Sequence, residues 1–386
     1  MNFELSEDQR AFQETARDFA ANELAPQAAE WDEKSIFPVD SIRRAGELGF
    51  CGLYSEERWG GIALSRLDAS IVVEELAAAC PSTAAFITIH NMATWMLTSN
   101  AREDVAGFWG PLLTSGKKLA SYCLTEPSAG SDAGSLRTTA KLDGDEYVLN
   151  GSKAFISGAG DTHVLVVMAR TGGAGPSGIS AFVVPADAPG VVYGRKELKM
   201  GWNSQPTRGI TFENARVPAR NLLGEEGEGF KIAMKGLDGG RINIATCSVG
   251  AAQGALNAAQ RYMHVRQQFG KPLAQFQALQ FKLADMAVDL VASRQMVRLA
   301  ASKLDAGARD ATVYCAMAKR LATDLCFNVC NEALQIHGGY GYIREYPLER
   351  LLRDARVHQI LEGTNEIMRV IISRRMLDDD ALESIR

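Results

Sequence analysis

Between residues 118 and 218 the chain changes its hydrophobic period, and this change narrows the possible folds more than any other feature. The runs KLASYCL, TTAKL, EYVLN, KAFIS, HVLVVMAR, ISAFVVP and ITF are short and rich in β-branched and aromatic residues. The segments between them leave no room for the crossover helices that a parallel sheet uses. Asp143-Gly144 and Asn150-Gly151 read as hairpin turns, because these residue types tolerate positive φ. An antiparallel barrel or sandwich is predicted here, not a parallel α/β sheet. On both sides the period is helical. Ser6 followed by Gln9 is a capping-box start, and Phe12, Ala16, Phe19 and Ala20 recur at helical spacing. Ser65 with Asp68 repeats the signature ahead of IVVEELAAAC, downstream of a turn at Trp59-Gly60-Gly61. A long run over 277–306 carries Leu279, Phe281, Leu283, Met286, Val288, Leu290 and Val291 on more than one face, as a helix buried among several others would. Another helix, over about 310–337, is expected to stop at Gly338-Gly339 in a left-handed ending. The expected class is α+β: an N-terminal all-α domain (1–117), a middle antiparallel β-barrel or sandwich domain (118–224) and a C-terminal α domain like a four-helix bundle (225–386).

With 386 residues the chain is long enough for two or three such domains. Its formal net charge of -5, with no Lys/Arg cluster, speaks against nucleic acid as a main partner. Seven cysteines (Cys51, Cys80, Cys123, Cys247, Cys315, Cys326 and Cys330) are scattered through apolar sequence. Cys326 and Cys330 lie one helical turn apart, but no second Cys/His pair stands at zinc spacing, so reduced core cysteines and no metal are expected. The start, MNFELSEDQRAF, is neither a signal peptide nor an Arg-rich transit peptide. This reading points to a bacterial cytoplasm, or to the mitochondrial matrix for a processed chain. The uncharged run 242–260 contains Asn, Gln, Ser and Gly and reads as a buried helix instead of a membrane span.

Several motifs carry possible chemistry. Gly173 to Gly178 fits G-x-G-x-x-G, yet Pro176 interrupts it and a strand follows at once, so it reads as a hairpin loop and not as a dinucleotide fingerprint. The loop after Tyr122 offers backbone N–H groups and the hydroxyls of Thr125, Ser128 and Ser131, suited to a heteroaromatic edge or a phosphate, or to an ordinary turn. Arg266 and Lys271 suit a pyrophosphate or a plain charged helix end. His337 sits where a general base would tempt, but no Ser, Cys or Asp is spaced to complete a triad, so a structural role is expected. The segment 202–207 mixes a large ring with polar groups and either walls a small-molecule site or plugs the barrel. Near the C-terminus, ILEGTNEI places Glu362 after two aliphatic residues and before Gly363, as a solvated acid at a helix boundary or as a catalytic base.

The order YCLTEPSAGSDAG, NGSKAFISGA, DGGR, RQQFGKPL, QIHGGYGY, ILEGTNEI resembles the flavin-dependent acyl-CoA dehydrogenases over almost the whole chain. LSRLDAS, ITIHNMATWM, GWNSQPTR and GGRINIA resemble the branch that oxidises isobutyryl-CoA to methacrylyl-CoA in valine breakdown. The resemblance implies FAD, an acyl-CoA substrate, electron-transferring flavoprotein as acceptor and a homotetramer built as a dimer of dimers. Tyr122, Cys123, Leu124, Thr125 and Ser131, with Phe155, Ile156 and Ser157, match segments that hold the isoalloxazine and ribityl chain. Arg266, Phe269, Phe276 and Gln277, and Gln335, Gly338 and Gly339, match groups that reach the cofactor of a neighbouring subunit. Thr364, Asn365 and Glu366 match a further FAD segment. Ser131, Asp238, Arg241 and Arg374 match substrate-binding positions, and Glu362 matches the catalytic base. Some members carry the base near 238–241 instead, where this chain has Gly239 and Gly240, neither able to take a proton. Burial beside Ile360 and Leu361 is expected to raise the basicity of Glu362.

Overall fold

The Ser6 hydroxyl accepts from the Gln9 N–H at 3.1 Å while Gln9 Oε1 accepts from the Ser6 N–H at 3.0 Å, so the chain enters its first helix through a complete capping box. The computed structural model describes residues 4–377. Six α-helices come first: α1 (Glu7–Phe19), α2 (Ala28–Lys34), α3 (Val39–Glu47), α4 (Arg66–Ala79), α5 (Pro81–Asn100) and α6 (Glu103–Thr114). Ser65 caps α4 through the Asp68 N–H at 3.0 Å. Pro81 opens α5, where a missing N–H costs nothing.

Eight strands follow: β1 (Ala120–Cys123), β2 (Thr139–Asp143), β3 (Glu146–Ser157), β4 (Val164–Arg170), β5 (Ile179–Pro185), β6 (Val191–Tyr193), β7 (Thr207–Pro218) and β8 (Leu222–Leu223). They form one sheet in the order β6-β7-β3-β2-β4-β5-β8, with β1 laid beside β4. Most pairs are antiparallel, but β1 runs parallel to β4, as does one contact between β2 and β4. The β2–β3 hairpin lies within the β1–β4 connection and gives it the length that a parallel pair requires. Asp143-Gly144 does turn the β2–β3 hairpin, with Gly144 at φ +66°. Asn150-Gly151 does not turn: it lies inside β3, where the register with β7 slips between Leu149 and Gly151. The glycine serves close packing, because a Cβ at 151 would stand 2.6 Å from the Thr138 Cα.

Strand alternation puts Val164, Val166 and Met168 against α5 and the helix after the sheet, while Leu165, Val167 and Ala169 face the interior of the sheet with Phe182, Ile210 and Phe212. β4 is thus buried on both faces.

The chain then returns to helices: α7 (Gly229–Val265), α8 (Gln277–Asp305), α9 (Ala311–His337), α10 (Leu348–Arg356) and α11 (Asn365–Met376), with the small hairpin β9 (Gln267–Gln268) and β10 (Lys271–Pro272) after α7. α7 runs through the middle, packed by α4, α5, α8 and α9. Its uncharged middle is buried, and among the described residues no helix is long and apolar enough to cross a membrane. α8 departs from the expected all-round burial. Met286, Leu290 and Val297 pack inward, whereas Phe281, Val288, Val291 and Leu299 face out of the chain. α9 ends where expected, but Gly338 has φ +58° and ψ -136°, outside the left-handed helical well, and the chain continues as a 3₁₀ turn. All seven cysteines are free and buried, and among the described residues no group of His, Cys, Asp and Glu could hold a metal ion.

Segment 202–207 is an interdomain joint. The Trp202 N–H donates to Asp354 at 2.6 Å and its indole N–H to His358 at 3.3 Å, while Gln205 donates to the Ser82 carbonyl at 3.1 Å. These bonds tie the β region to both helical regions.

Candidate active site

Glu362 lies in the turn between α10 and α11. Ile360 and Leu361 both donate to the Val357 carbonyl, at 2.9 and 3.1 Å, and the chain then takes two positive φ values, +55° at Glu362 and +88° at Gly363. Glycine makes the second of these tolerable; the first costs a glutamate on the order of 1–3 kcal/mol, which the surroundings must offset. Thr364 resumes the helix as N-cap of α11, its hydroxyl accepting from the Ile367 N–H at 3.3 Å.

The bent turn carries the Glu362 carboxylate over α7. A Cβ at Gly240 would lie 2.4 Å from Glu362 Oε2, so only a bare backbone admits the acid there. Met92 from α5 closes the same spot, its sulfur 3.1 Å from that Cβ, and Met96 packs its methyl directly on Gly236 one turn earlier. Arg66 covers Gly239, its guanidinium 3.4 Å above the Tyr54 ring. Glu362 Oε2 is buried without a hydrogen-bond partner, and so are Tyr122 Oη, Arg241 Nε and Arg66 Nη1. Buried orphan polar atoms each cost about 1–3 kcal/mol, and a cluster of them marks a place kept ready for a ligand. Burial pushes the Glu362 carboxyl up to about 7, although the Arg241 and Lys319 cations pull the other way. Burial also raises Tyr122 well above the ordinary tyrosine range, with Glu362 adding to the effect.

The expected substrate positions divide. Arg241 is buried and pairs with Asp238 at 2.6 Å, and Asp238 also accepts from Thr312 at 2.6 Å. The structure therefore joins Asp238, Arg241 and Glu362 around one stretch of α7. Ser131 is exposed at the tip of the loop after β1. Arg374 is exposed nine residues along α11 from Asn365, about 14 Å at 1.5 Å per residue. Arg374 therefore lies away from the acid along α11, and Ser131 is open to solvent.

The segments matched to the flavin share one ridge of the sheet. Phe155 is 70% exposed at φ +57° on a bulge in β3, a strained and apolar side chain open to solvent. Thr125 accepts from the Ala154 N–H at 2.8 Å, which fastens the loop to that bulge. Tyr122, Thr125 and Ser157 are partly open, but Cys123, Leu124 and Ile156 send their side chains into the core. Those three can offer a cofactor only backbone, and burial pushes the Cys123 thiol up to about 12. Beneath the ridge, Lys153 is fully buried and donates to the Leu124 carbonyl at 3.1 Å and to Glu126 at 2.8 Å, and Glu126 also accepts from the Arg137 and Thr138 N–H groups at 2.6 and 2.9 Å.

Elsewhere, Arg266, Gly338 and Gly339 line a cleft of about 420 Å³ with Tyr262, His337 and Tyr340. Gln335 is exposed beside it, Gln277 opens α8, and Phe269, 92% exposed at φ +52°, projects from the β9–β10 hairpin with its ring 6.2 Å from Phe276. His337 is structural, as expected: Nδ1 bonds to the Ala333 carbonyl at 2.8 Å and the ring stacks on Tyr262 at 4.2 Å. The Asn365 side chain faces inward, held by Lys319 at 2.9 Å, Thr323 at 2.9 Å and Asp324 at 2.7 Å, so it is committed to the fold and can offer a cofactor only backbone. Glu366 is exposed, and the Thr364 hydroxyl is used as a cap.

Four residues around the site were missed from sequence: Arg66, Glu126, Lys153 and Lys319. Lys319 had a readable signal. It lies on one helical face with Cys315, Ala322, Cys326 and Cys330, an apolar seam where a lysine is out of place.

The chain is similar to known proteins over nearly its whole length. Residues 6–117, 121–215 and 227–377 match the family models described as the acyl-CoA dehydrogenase N-terminal, middle and C-terminal domains. The mitochondrial isobutyryl-CoA dehydrogenase of Bos taurus is 56% identical over 375 residues, covering 97% of this chain and 90% of that protein. The solved butyryl-CoA dehydrogenase from Megasphaera elsdenii superposes with a TM-score of 0.94 at 41% identity, covering 98% of this chain and 100% of that one. A chain in the structure titled for the electron transferring flavoprotein of Acidaminococcus fermentans superposes with a TM-score of 0.96 at 42% identity over the same shares.

Proposed function

The chain belongs to the acyl-CoA dehydrogenase family, and from that premise we propose that it desaturates isobutyryl-CoA to methacrylyl-CoA, with Glu362 removing the α-proton. The enzyme is a flavin-dependent acyl-CoA dehydrogenase. FAD, when bound, accepts the β-hydride. The residues present fit that cofactor: an exposed aromatic on a strained bulge, a loop of hydroxyls and backbone N–H groups beside it, and a cleft lined by an arginine and two glycines.

The observation that carries the reading is the Glu362 carboxylate, buried and without a hydrogen-bond partner at Oε2, lying on the bare backbone at Gly240. A carboxyl raised to about 7 is half ionised near neutral pH and far more basic than one in water. We assign the thioester oxygen to the Glu362 backbone N–H, which the left-handed turn aims. Negative charge developing on that oxygen in the transition state is then met by a fixed dipole. Met92 and Met96 fill the space beside Gly240 and Gly236, which supports a short acyl group. The exposed Ser131 and Arg374 are assigned to the CoA moiety.

The outward face of α8 and Phe269 support self-association, and we assign the arginine cleft to the cofactor of a neighbouring copy in a homotetramer. Electron-transferring flavoprotein is the proposed acceptor. Arg266→Ala is expected to lower the FAD content of the purified protein severalfold, read from the ratio of flavin to protein absorbance; an unchanged ratio would remove Arg266 from the assignment.

The likeness to butyryl-CoA dehydrogenase supports a second reading, a short straight-chain substrate. One methylene in an apolar pocket is worth only about 10–200-fold, so a panel decides. Anaerobic bleaching of the flavin is expected to be fastest with isobutyryl-CoA and slower with butyryl-CoA and 2-methylbutyryl-CoA. Butyryl-CoA equal or faster would favour the second reading. Rapid recolouring in air would replace the dehydrogenase reading with an oxidase.

A further inference from the structure

Lys319 is a lysine with 0% exposure in the middle of α9, on a face otherwise made of cysteine, alanine and threonine. Its Nζ donates to the Gly363 carbonyl at 2.8 Å and to Asn365 Oδ1 at 2.9 Å, one and three residues after Glu362. Asn365 is held in turn by Thr323 and Asp324 from the same helix. A buried ammonium costs several kcal/mol to desolvate, and a plain helix contact could be made by an apolar residue without that cost. What the charge does here is local: it takes the carbonyl of a glycine at φ +88° and thereby fixes a glutamate at φ +55° one residue earlier. Other anchors of that turn, the Val357 carbonyl and the Thr364 cap, act before and after the strained pair.

We propose that Lys319 is the positioning residue of the proton-abstraction site, holding the Glu362 carboxylate over Gly240 through the Gly363 carbonyl and the Asn365 side chain. The proposal rests on the assignment of Glu362 as base. Lys319 touches neither substrate nor cofactor in this account. Its charge has a second effect, lowering the proton affinity of Glu362 alongside Arg241, so that the acid stays ionisable despite burial. The charged and titratable groups facing this pair are Arg241 from α7, Tyr122 from β1, Asp324 from α9, Glu366 from α11 and His358 from the turn after α10. Burial holds the Lys319 ammonium well below the ordinary lysine range, although Glu362 and Asp324 raise it.

The test compares the flavin-loaded enzyme with Lys319→Met and Lys319→Gln. In Lys319→Met the turn loses its donor, and a displacement of the base by about 1 Å is worth on the order of 100-fold in kcat. KM for isobutyryl-CoA is expected to change little. The acid limb of kcat/KM is expected to move to higher pH, because a cation that favoured the ionised Glu362 is gone. Lys319→Gln restores a neutral donor, so it should recover part of kcat while keeping the shifted limb. If Lys319→Met does not fold, the same two readouts on Lys319→Gln decide. The proposal is overturned if the folding variants show wild-type kcat per bound flavin and an unmoved limb, or if they lose thermal stability alone. Glu362→Gln in parallel separates the two claims. An active Glu362→Gln sinks the base assignment, whereas an inactive Glu362→Gln beside a wild-type-like Lys319→Met sinks this proposal only.

Discussion

Glu362→Gln is expected to keep bound FAD and lose turnover by a factor of at least 10²–10⁴, the usual range for removal of a positioned acid–base group. The substitution is nearly isosteric. It keeps the backbone turn and needs no Cβ at Gly240, so the fold has little reason to respond. Only the capacity to take a proton goes. The pH dependence of the wild-type enzyme carries the same claim. Glu362 acts as a base only when ionised, and burial raises it to about 7. Activity in kcat/KM should therefore fall as pH drops below about 7 and level off above it. An acid limb near the ordinary carboxylate range would mean that the acid is solvated in the free enzyme. Near-normal turnover of Glu362→Gln would remove the residue from the reaction.

The largest stability loss is expected from Glu126→Ala. Burial pushes the Glu126 carboxyl up, but the Lys153 ammonium and the Thr138 and Arg137 N–H groups more than offset this and hold it below its usual range. Lys153 is fully buried, with its side chain 0% exposed. Removing the carboxylate leaves that ammonium with the Leu124 carbonyl as its remaining partner and leaves two backbone N–H groups unpaired. Breaking a buried pair from one side costs about 3–5 kcal/mol. For a chain of this size that corresponds to a fall in the thermal midpoint on the order of 5 °C, read by circular dichroism. The double variant Glu126→Ala with Lys153→Met removes the stranded charge and should recover part of the loss. A single variant as stable as wild type would show that the pair is not the clamp of the β1 loop. Because that loop is fastened to the bulge at Phe155, the single variant should also retain less FAD.

The order of helices, strands and helices was legible because each region keeps one hydrophobic period. The capping signals at Ser6 and Ser65 are local; the Ser6 box is complete in the structure, whereas at Ser65 only the hydroxyl half forms, to the Asp68 N–H. The misreadings have a common physical cause: local residues carry no information about what packs against them. Asn150-Gly151 has the chemistry of a hairpin turn, yet Thr138 pressing on the glycine makes it a bulge. The outward apolar side of α8 cannot be told from a buried side by spacing alone. At the site, the family resemblance pointed to Glu362, Asp238 and Arg241, but what lies around the acid was not legible. Asn365 reads as a polar contact in sequence and is spent inside the fold on Lys319, which sits 46 residues away in the chain. Glu126 and Lys153, 27 residues apart, look like surface charges until β1 and β3 bring them together beneath the loop.

The most direct measurement of the central claim is anaerobic single-turnover bleaching of the flavin with isobutyryl-CoA carrying deuterium at Cα, followed in the wild-type enzyme and in Glu362→Gln across pH 5–9. Bleaching is expected to be slower with the deuterated substrate, to slow as pH drops through about 7, and to be absent on the same timescale in Glu362→Gln despite bound FAD. A bleaching rate indifferent to deuterium at Cα and unchanged in Glu362→Gln would contradict that claim.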